Sequence, residues 1–490
     1  MLKPYLTSTD SFSDQAGLAP LVLDVDNTLI KTDILHESVV AYIKGNPLRI
    51  FKVFGWLMQG KAMLKRRLSE NVPLSTDHLP VNEDLAEYAK DAHDQGRRVG
   101  LATAADELVA RRLARRFDFV DFVIASDGTT NLKGASKARA LTEHFPAGFA
   151  YAGDSPADLT VWPEASSIIL VGTSATTTRR ALTLGKPIEA VFERPKVGLR
   201  QWAKALRVHQ WAKNALVFVP LVLSGMATNP AALIQSLIAF AVMSLMASGT
   251  YLVNDLADLA DDRAHWSKRN RPLAAGVIAL KHGVVAAAGL IAVALALANT
   301  LGLPALGLIV GYMALTLSYS FYLKRQPIVD VFALAVLFTL RIGIGIAAIA
   351  VEPSPWLLVF SMFLFGSLSF AKRQTEIQRS VANGRKAVNG RGYLGTDAGF
   401  VLSMGIAAGM GAVSIMVLYI MNDVYAATIY KTPVMLWVFP AVLFMWISRI
   451  WLLCHREQLN DDPVAFAIRD KVSIGLGGIM GAAFLWGWLI

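Results

Sequence analysis

The sequence predicts an α/β domain followed by an all-α polytopic membrane domain of about nine transmembrane helices, and three observations carry that expectation. Charged residues make up only 17% of the 490, where about 25% is usual for soluble domains, and mean hydropathy is +0.44. The excess is localised, because apolar stretches of spanning length and low charge recur from about residue 212 to the C-terminus. The first 195 residues instead read as soluble protein and carry a buried-strand signature, Leu21-Val22-Leu23, that ends in acids. The expected domains are therefore 1–195 and 196–490.

Composition excludes several classes. Cys454 is the single cysteine, so there is no intrachain disulfide framework and no cysteine-rich zinc or iron–sulfur site. The formal charge of +10 is not read as nucleic-acid binding, since in a membrane protein Lys and Arg collect in loops that stay cytosolic. Residues 1–17 lack the apolar core of a cleaved signal peptide, so the N-terminal domain is expected in the cytosol.

Spans are expected near 212–227, 232–253, 283–300, 303–322, 328–349, 355–371, 400–420, 433–453 and 473–490. The first is short for a hydrocarbon core of about 30 Å and can either extend back through Trp211 or sit tilted. With a cytosolic N-terminus, the loops after the even-numbered spans hold Arg263, Lys268, Arg269, Arg271 and Lys281, then Lys324 and Arg325. Further on they hold Lys372, Arg373, Arg379, Arg385, Lys386 and Arg391, then Arg456, Arg469 and Lys471, whereas the opposite loops offer only Lys431. That asymmetry obeys the positive-inside rule and puts every charged loop on the N-terminal domain's side.

Asp24 and Asp26 stand at the C-terminal end of the first strand, where open parallel sheets bind ligands. With Thr28 they resemble motif one, D-x-D-x-T, of the haloacid dehalogenase superfamily, a Rossmann-like α/β fold. GRRVGLATAA ends a strand in Thr103, the place of that superfamily's phosphate-binding hydroxyl. In NLKGASKARAL, Lys137, with Lys133 as the alternate, takes the place of its lysine, and YAGDSPADL supplies Gly153, Asp154 and Asp158 as its fourth motif. The resemblance implies a Mg2+-dependent phosphatase. Asp24 would be the nucleophile, Asp26 the acid and base, and Thr103 and Lys137 the phosphate binders. Asp24, Asp26, Asp154 and Asp158 would be the carboxylates around the metal. Residues 36–80 take the position of a small helical cap, whose run PLRIFKVFGWLMQGKAMLKRRL reads equally as a membrane-surface helix or as an ordinary helix on the core.

The second span ends in YLVNDLADLADDRAHWSKRNRPLAAG. Asn254, Asp258 and Asp262 recur every four residues, with Asp255 three before Asp258, so their side chains are expected on one helical stripe. Carboxylates gathered at the edge of hydrocarbon repel one another and are costly to desolvate, which divalent cations carrying a diphosphate would relieve. Lys268 and Arg271 could reach the phosphate oxygens. The run, including His265 and the Arg271-Pro272-Leu273-Ala274 segment, resembles the metal motif of the UbiA superfamily of intramembrane prenyltransferases. That family's second acidic motif departs here, with Asp330 present but Leu334 in place of the second acid. Tyr319, Lys324, Asp330 and Arg341 look instead like the branch that includes decaprenyl-phosphate phosphoribosyltransferase, as do the segments containing Lys372, Arg373 and GRGYL.

Together the two resemblances imply a bifunctional enzyme in a bacterial inner membrane, with both sites cytoplasmic. It would move 5-phosphoribose from phosphoribosyl pyrophosphate to a polyprenyl phosphate, then remove the 5-phosphate to leave a lipid-linked ribose for cell-envelope or glycolipid glycan synthesis. A homo-oligomer is left open. The rival from the same superfamily is an aromatic or tetrapyrrole prenyltransferase, and a transporter or scaffold is the non-enzymatic alternative. Asp461, Asp462 and Asp470 receive no chemistry and read as caps of the last helices.

Overall fold

A computed structural model describes residues 18–388, 390–427, 429–459 and 463–490. The chain divides into two compact units. One comprises the described residues up to Leu206 together with Asp255–Ala286, the other Arg207–Asn254 and Ala287–Ile490.

The first unit is built on a parallel sheet of β1 (Leu21–Leu23), β2 (Val99–Asp106), β3 (Phe122–Ser126), β4 (Ala150–Gly153), β5 (Ser167–Val171) and β6 (Ile188–Phe192). Spatial order is β3-β2-β1-β4-β5-β6, every pair parallel. Helices cover both faces, so β1 is apolar at every position rather than alternating. Leu21 and Leu23 pack with Leu101, Val109 and Leu113 on one face, while Val22 packs with Tyr151, Trp162 and Leu141 on the other. The chain runs outward from β1 through β2 to β3, then returns to place β4 on the other side. That reversal opens a crevice at the C-terminal ends of β1 and β4, and Asp24 and Asp154 follow those two ends directly. Gly153 closes β4 because a Cβ there would lie 2.7 Å from the Asp158 carboxyl carbon.

Between β1 and β2 stand the helices Ile34–Gly45, Ile50–Met58 and Lys61–Asn71. Tyr42, Val53, Leu64, Leu68 and Val72 form their small shared core. Phe51, Phe54 and Met58 of the middle helix remain exposed.

The segment Asp255–Ala286 joins this unit through a buried ion pair. Arg263 is fully engaged, its two terminal nitrogens donating to the Glu37 carboxylate at 2.9 and 2.6 Å and its Nε to the Ala274 carbonyl at 3.0 Å. The Thr32 hydroxyl donates to the same carboxylate at 2.5 Å. Around it, Lys44 pairs with Asp261 at 2.9 Å and Lys204 donates to the Asn270 carbonyl. Gly276, at φ +68°, lies so close to the Lys31 backbone that a Cβ would collide with it.

Among the described residues, eight helices are long and apolar enough to cross a membrane, from Pro230–Ala257 to Lys471–Leu489. The expected first span is corrected: Val208–Phe218 is a 3-10 helix, followed by a five-residue α-helix, Val219–Leu223. Its backbone makes room for close packing, for Gly345 abuts the Val217 carbonyl and admits no side chain. The expected span at 355–371 also changes, since the helix runs without interruption from Pro355 to Ala382. Lys372, Arg373 and Arg379 therefore lie on a helix and not in a loop, because nothing between Phe370 and Ala382 breaks it. Small residues let these helices approach: Gly405 faces the Trp451 ring and Gly409 faces Ile447 and Ser367. Asp470 caps Lys471–Leu489, accepting from the Ser473 amide at 2.8 Å and pairing with Arg449 at 2.6 Å. Asp461 and Asp462 lie outside the described residues.

Removing one partner of a buried ion pair typically costs about 3–5 kcal/mol. Glu37→Ala should therefore lower the thermal unfolding temperature of the detergent-solubilised chain by several degrees, and the double change Glu37→Met, Arg263→Met should lose less than either single one.

Candidate functional site

In the crevice of the first unit, one ligand oxygen each from Asp24, Asp154 and Asp158 lies within 4.8 Å of the others. Strand ends deliver the first two, and a helical turn opening at Pro156 returns the third. Asp24 Oδ1 accepts from Lys137 Nζ at 2.8 Å and from the Val25 amide at 2.9 Å. Lys137, on the helix Ala135–His144, is the lysine that reaches Asp24; its Nζ also donates to the Tyr151 hydroxyl at 2.8 Å. Asp158 has its Oδ2 occupied by the Ser155 amide and hydroxyl, both at 2.9 Å, and its Oδ1 by the Tyr151 hydroxyl at 3.0 Å. So held, Asp158 positions the cluster, while Asp24 and Asp154 keep oxygens for a ligand. Thr103 is wholly buried beside them, its hydroxyl oxygen accepting from the Ala105 amide at 3.0 Å, which leaves its proton to donate.

Asp26 stands apart from this group. Its carboxylate accepts from the Ile34 amide at 2.8 Å and so ties the loop after β1 to the first inserted helix. Burial, then the neighbouring charges of Asp33 and Asp24, push its carboxyl up to about 7. For Asp154 burial and the charges of Asp24 and Asp158 raise it to about 8. Lys137 is held above its ordinary range: burial opposes its charge, but Asp24 and Asp158 outweigh that. These directions fit a site short of positive charge, and the all-oxygen donor set suits a hard divalent cation.

A second acidic group lies on the segment Asp255–Ala286 of the same unit. The expected single helical stripe is interrupted, because the helix Pro230–Ala257 stops at Asp258 and Leu259–Ala264 starts after it. The break nonetheless lets Asp255 and Asp262 converge on one guanidinium: Arg271 donates to them at 2.9 and 2.5 Å. Both acids are buried, and Lys268 Nζ is 4.0 Å from Asp262. Burial raises the Asp262 carboxyl, with Arg271 opposing. Asp258, at the break, is half-buried, and Asn254 ends the first segment of the second unit. The carboxylates suit a cation, and Arg271 lies where it could instead grip an anion.

The second unit holds a further polar network. Asp330 is fully buried; its Oδ1 accepts from the Tyr393 hydroxyl at 2.8 Å and its Oδ2 lies 3.2 Å from Arg373 Nε. Arg373 also bonds Glu376, which stands 3.8 Å from Arg391, and Arg391 donates to the Tyr319 hydroxyl at 2.8 Å and to the Lys324 carbonyl. Sequence reasoning assigned no role to Glu376, Arg391 or Tyr393, although GRGYL, which contains the last two, was a visible signal. Leu334 packs among apolar side chains. Arg341 belongs to a different set of bonds, donating to Asn214 at 3.0 Å, Tyr312 at 2.9 Å and the Leu337 carbonyl. Lys372 makes interactions of its own one residue before Arg373.

The sequence model of the UbiA prenyltransferase family matches residues 216–488. An uncharacterized protein, y4nM, of Sinorhizobium fredii is 37% identical over 466 residues, 95% of this chain and 90% of that protein. Decaprenyl-phosphate phosphoribosyltransferase of Corynebacterium glutamicum is 38% identical over 215 residues, which are 42% of this chain and 63% of that enzyme. A UbiA homolog from Archaeoglobus fulgidus, solved bound to GPP and Mg2+, aligns with 59% of this chain and 98% of its own at 16% identity and a TM-score of 0.46.

A carboxylate must be deprotonated to bind a metal. With Asp154 near 8, Mg2+ binding measured by titration calorimetry should tighten as pH rises from 6 to 8.5 and release protons. The metal-free native state carries protons that the unfolded state, at an ordinary 3.8, has lost. Its stability should therefore fall as pH rises between about 4 and 8, and saturating Mg2+ should flatten that slope.

Proposed function

The chain belongs to the UbiA prenyltransferase family, and on that premise we propose that it is a bifunctional, Mg2+-dependent membrane enzyme. Its transferase moves 5-phosphoribose from phosphoribosyl pyrophosphate to a polyprenyl phosphate, and its N-terminal haloacid dehalogenase-like domain then hydrolyses the 5-phosphate. The observation that carries the reading is that one compact unit holds both the Asp24, Asp154 and Asp158 cluster and the Asp255, Asp262 and Arg271 group. The expected domain boundary near residue 195 marks where one activity gives way to the other in sequence, and the relative named for phosphoribosyl transfer lends the first step its substrate.

In the transfer step, an oxygen of the lipid phosphate forms a bond to the ribose anomeric carbon as the bond to the diphosphate breaks. Asp255, Asp258 and Asp262, with Asn254 next to them in the chain, would hold a divalent cation that neutralises diphosphate charge, while Arg271 and Lys268 pair with the departing diphosphate. In the second unit, Arg373, Lys372 and Lys324 supply cations, Tyr319 a hydroxyl and Asp330 the orienting carboxylate for Arg373. Arg341, fixed by Asn214 and Tyr312, is a buried intramembrane charge of the kind that marks a substrate path.

In the hydrolytic step, Asp24 attacks phosphorus and the ester bond to the ribose oxygen breaks. Asp26, near 7, is suited to give that oxygen its proton and then to take one from the water that cleaves the aspartyl phosphate. Thr103 and Lys137 donate to the transferring oxygens. A bound Mg2+, held by Asp24 and Asp154 with Asp158 behind them, would neutralise phosphate charge.

The Lys and Arg distribution supports a cytosolic placement of the charged loops.

Purified chain in lipid nanodiscs should convert radiolabelled phosphoribosyl pyrophosphate and polyprenyl phosphate into labelled lipid only with Mg2+. Asp255→Asn or Asp262→Asn should reduce labelling by about 100-fold or more, at least the size expected from losing charge stabilisation at a reacting diphosphate. Asp24→Asn should leave transfer intact and accumulate the lipid with its 5-phosphate. Product formed only from a prenyl diphosphate and an aromatic acceptor would replace this reading.

A further inference from the structure

The helix Ile50–Met58 turns its largest apolar side chains outward, and the chemistry above makes no use of them. It packs on its neighbours through Val53, which is buried, and Trp56, whose ring centroid lies 5.1 Å from that of Tyr42. At about 3.6 residues per turn, Phe51, Phe54 and Met58 fall within about 60° of one another on the opposite side. They are 73%, 63% and 87% exposed, and Leu48, in the turn before the helix, is 70% exposed. Single exposed apolar residues are ordinary, but a contiguous set on one face of a helix marks a surface that meets something apolar.

Charge and tethering point to one occupant, an anionic lipid surface. Between Glu37 and Glu70 the chain carries seven Lys and Arg and no Asp or Glu. Lys52 and Lys61, which flank the apolar side chains along the chain, are exposed. The inserted helices are also fastened next to the end of a membrane helix. Lys44 pairs with Asp261 at 2.9 Å and Glu37 with Arg263 at 2.6 Å, all within the first unit. Asp261 stands four residues after the apolar helix Pro230–Ala257 ends, and Ile50 six residues after Lys44. Six residues span at most about 20 Å, so the exposed face starts within reach of a bilayer surface. We propose that Ile50–Met58 is an interfacial membrane anchor. Phe51, Phe54 and Met58 enter the boundary between headgroups and acyl chains, and Lys52 and Lys61 pair with anionic lipid phosphates. Because the spans already hold the chain at the bilayer, the contact is effectively intramolecular and needs little affinity of its own.

The test uses the full chain in nanodiscs of phosphatidylcholine and phosphatidylglycerol. Cys454, the single cysteine, is buried, so the fluorophore NBD attaches at an introduced thiol. Phe54→Cys and Met58→Cys report on the exposed face. Lys90→Cys is the reference, exposed on the helix Glu83–Asp94, which leads into the start of β2, whereas the inserted helices bond near the other end of that strand through Lys65 and the Ala104 carbonyl. Lipid with a doxyl quencher high on its acyl chain should quench the labels at positions 54 and 58 at least about twofold more than the label at 90, as burial about 5–10 Å into the interface requires. Adding Lys52→Glu and Lys61→Glu to the Phe54→Cys chain should bring its quenching down toward the reference. Equal quenching at all three positions overturns the anchor. If the labels at 54 and 58 are then also shielded from aqueous iodide, protein covers the face instead. Quenching untouched by the two Glu changes overturns the role of the lysines. None of these readouts depends on catalysis, so the anchor stands or falls apart from the phosphatase reading.

Discussion

Carboxylates crowded into low-dielectric space are the constraint around which this molecule is organised. Three of them converge where β1 and β4 end, and two more converge on a single guanidinium after the helix Pro230–Ala257. Each group is stable only with positive charge close by, because burial and mutual repulsion both penalise the ionised form. Lys137 and Arg271 supply part of that charge from the chain itself. The remainder is what a divalent cation and a phosphate-bearing substrate bring, so the electrostatic deficit and the proposed chemistry have one origin.

The rest of the first unit serves to hold those acids. The parallel sheet delivers Asp24 and Asp154 side by side because its strand order reverses between β1 and β4. Asp158 stays in place through Ser155 and Tyr151 rather than through the ligand. The loop after β1 is fixed at both ends, by Asp26 on the Ile34 amide and by Thr32 on Glu37. Glu37 in turn grips Arg263, the neighbour of Asp262. These bonds, joined by the short stretch of backbone from Thr32 to Glu37, connect Asp26 of the first acid motif to the residue beside Asp262 of the second. Such a chain makes the geometry of one loop a condition on the other.

Much of this was legible in residue order. Asp24, Thr103, Lys137, Asp154 and Asp158 are recognisable because strand ends and a helix start present them at fixed places, and a parallel sheet brings strand ends together whatever the intervening lengths. The long apolar helices were equally visible, since spanning a bilayer demands a run of apolar residues that nothing else does. The expected stripe through Asp255, Asp258 and Asp262 was half right: the period placed the acids near one another, but a break at Asp258, which no Gly or Pro announces, reoriented them. The helix through Arg373 ran on past its expected end because polar helix formers continue a helix as readily as apolar ones. The network of Asp330 with Tyr393 and, through Glu376, with Arg391 joins residues up to 63 positions apart, beyond the reach of any local period.

By itself the sequence determined which eight runs are long and apolar enough to cross a membrane, though not the form of the stretch before them, and which short runs carry closely spaced acids. Both follow from local chemistry, the transfer cost of each side chain and the repeat of helix and strand. Only the tertiary structure decided that Glu37 would close on Arg263, 226 residues away, and that Arg271 would lie between Asp255 and Asp262. Those outcomes depend on which buried charges find partners once the chain is packed, and that pairing is a property of three-dimensional neighbours rather than of order along the chain.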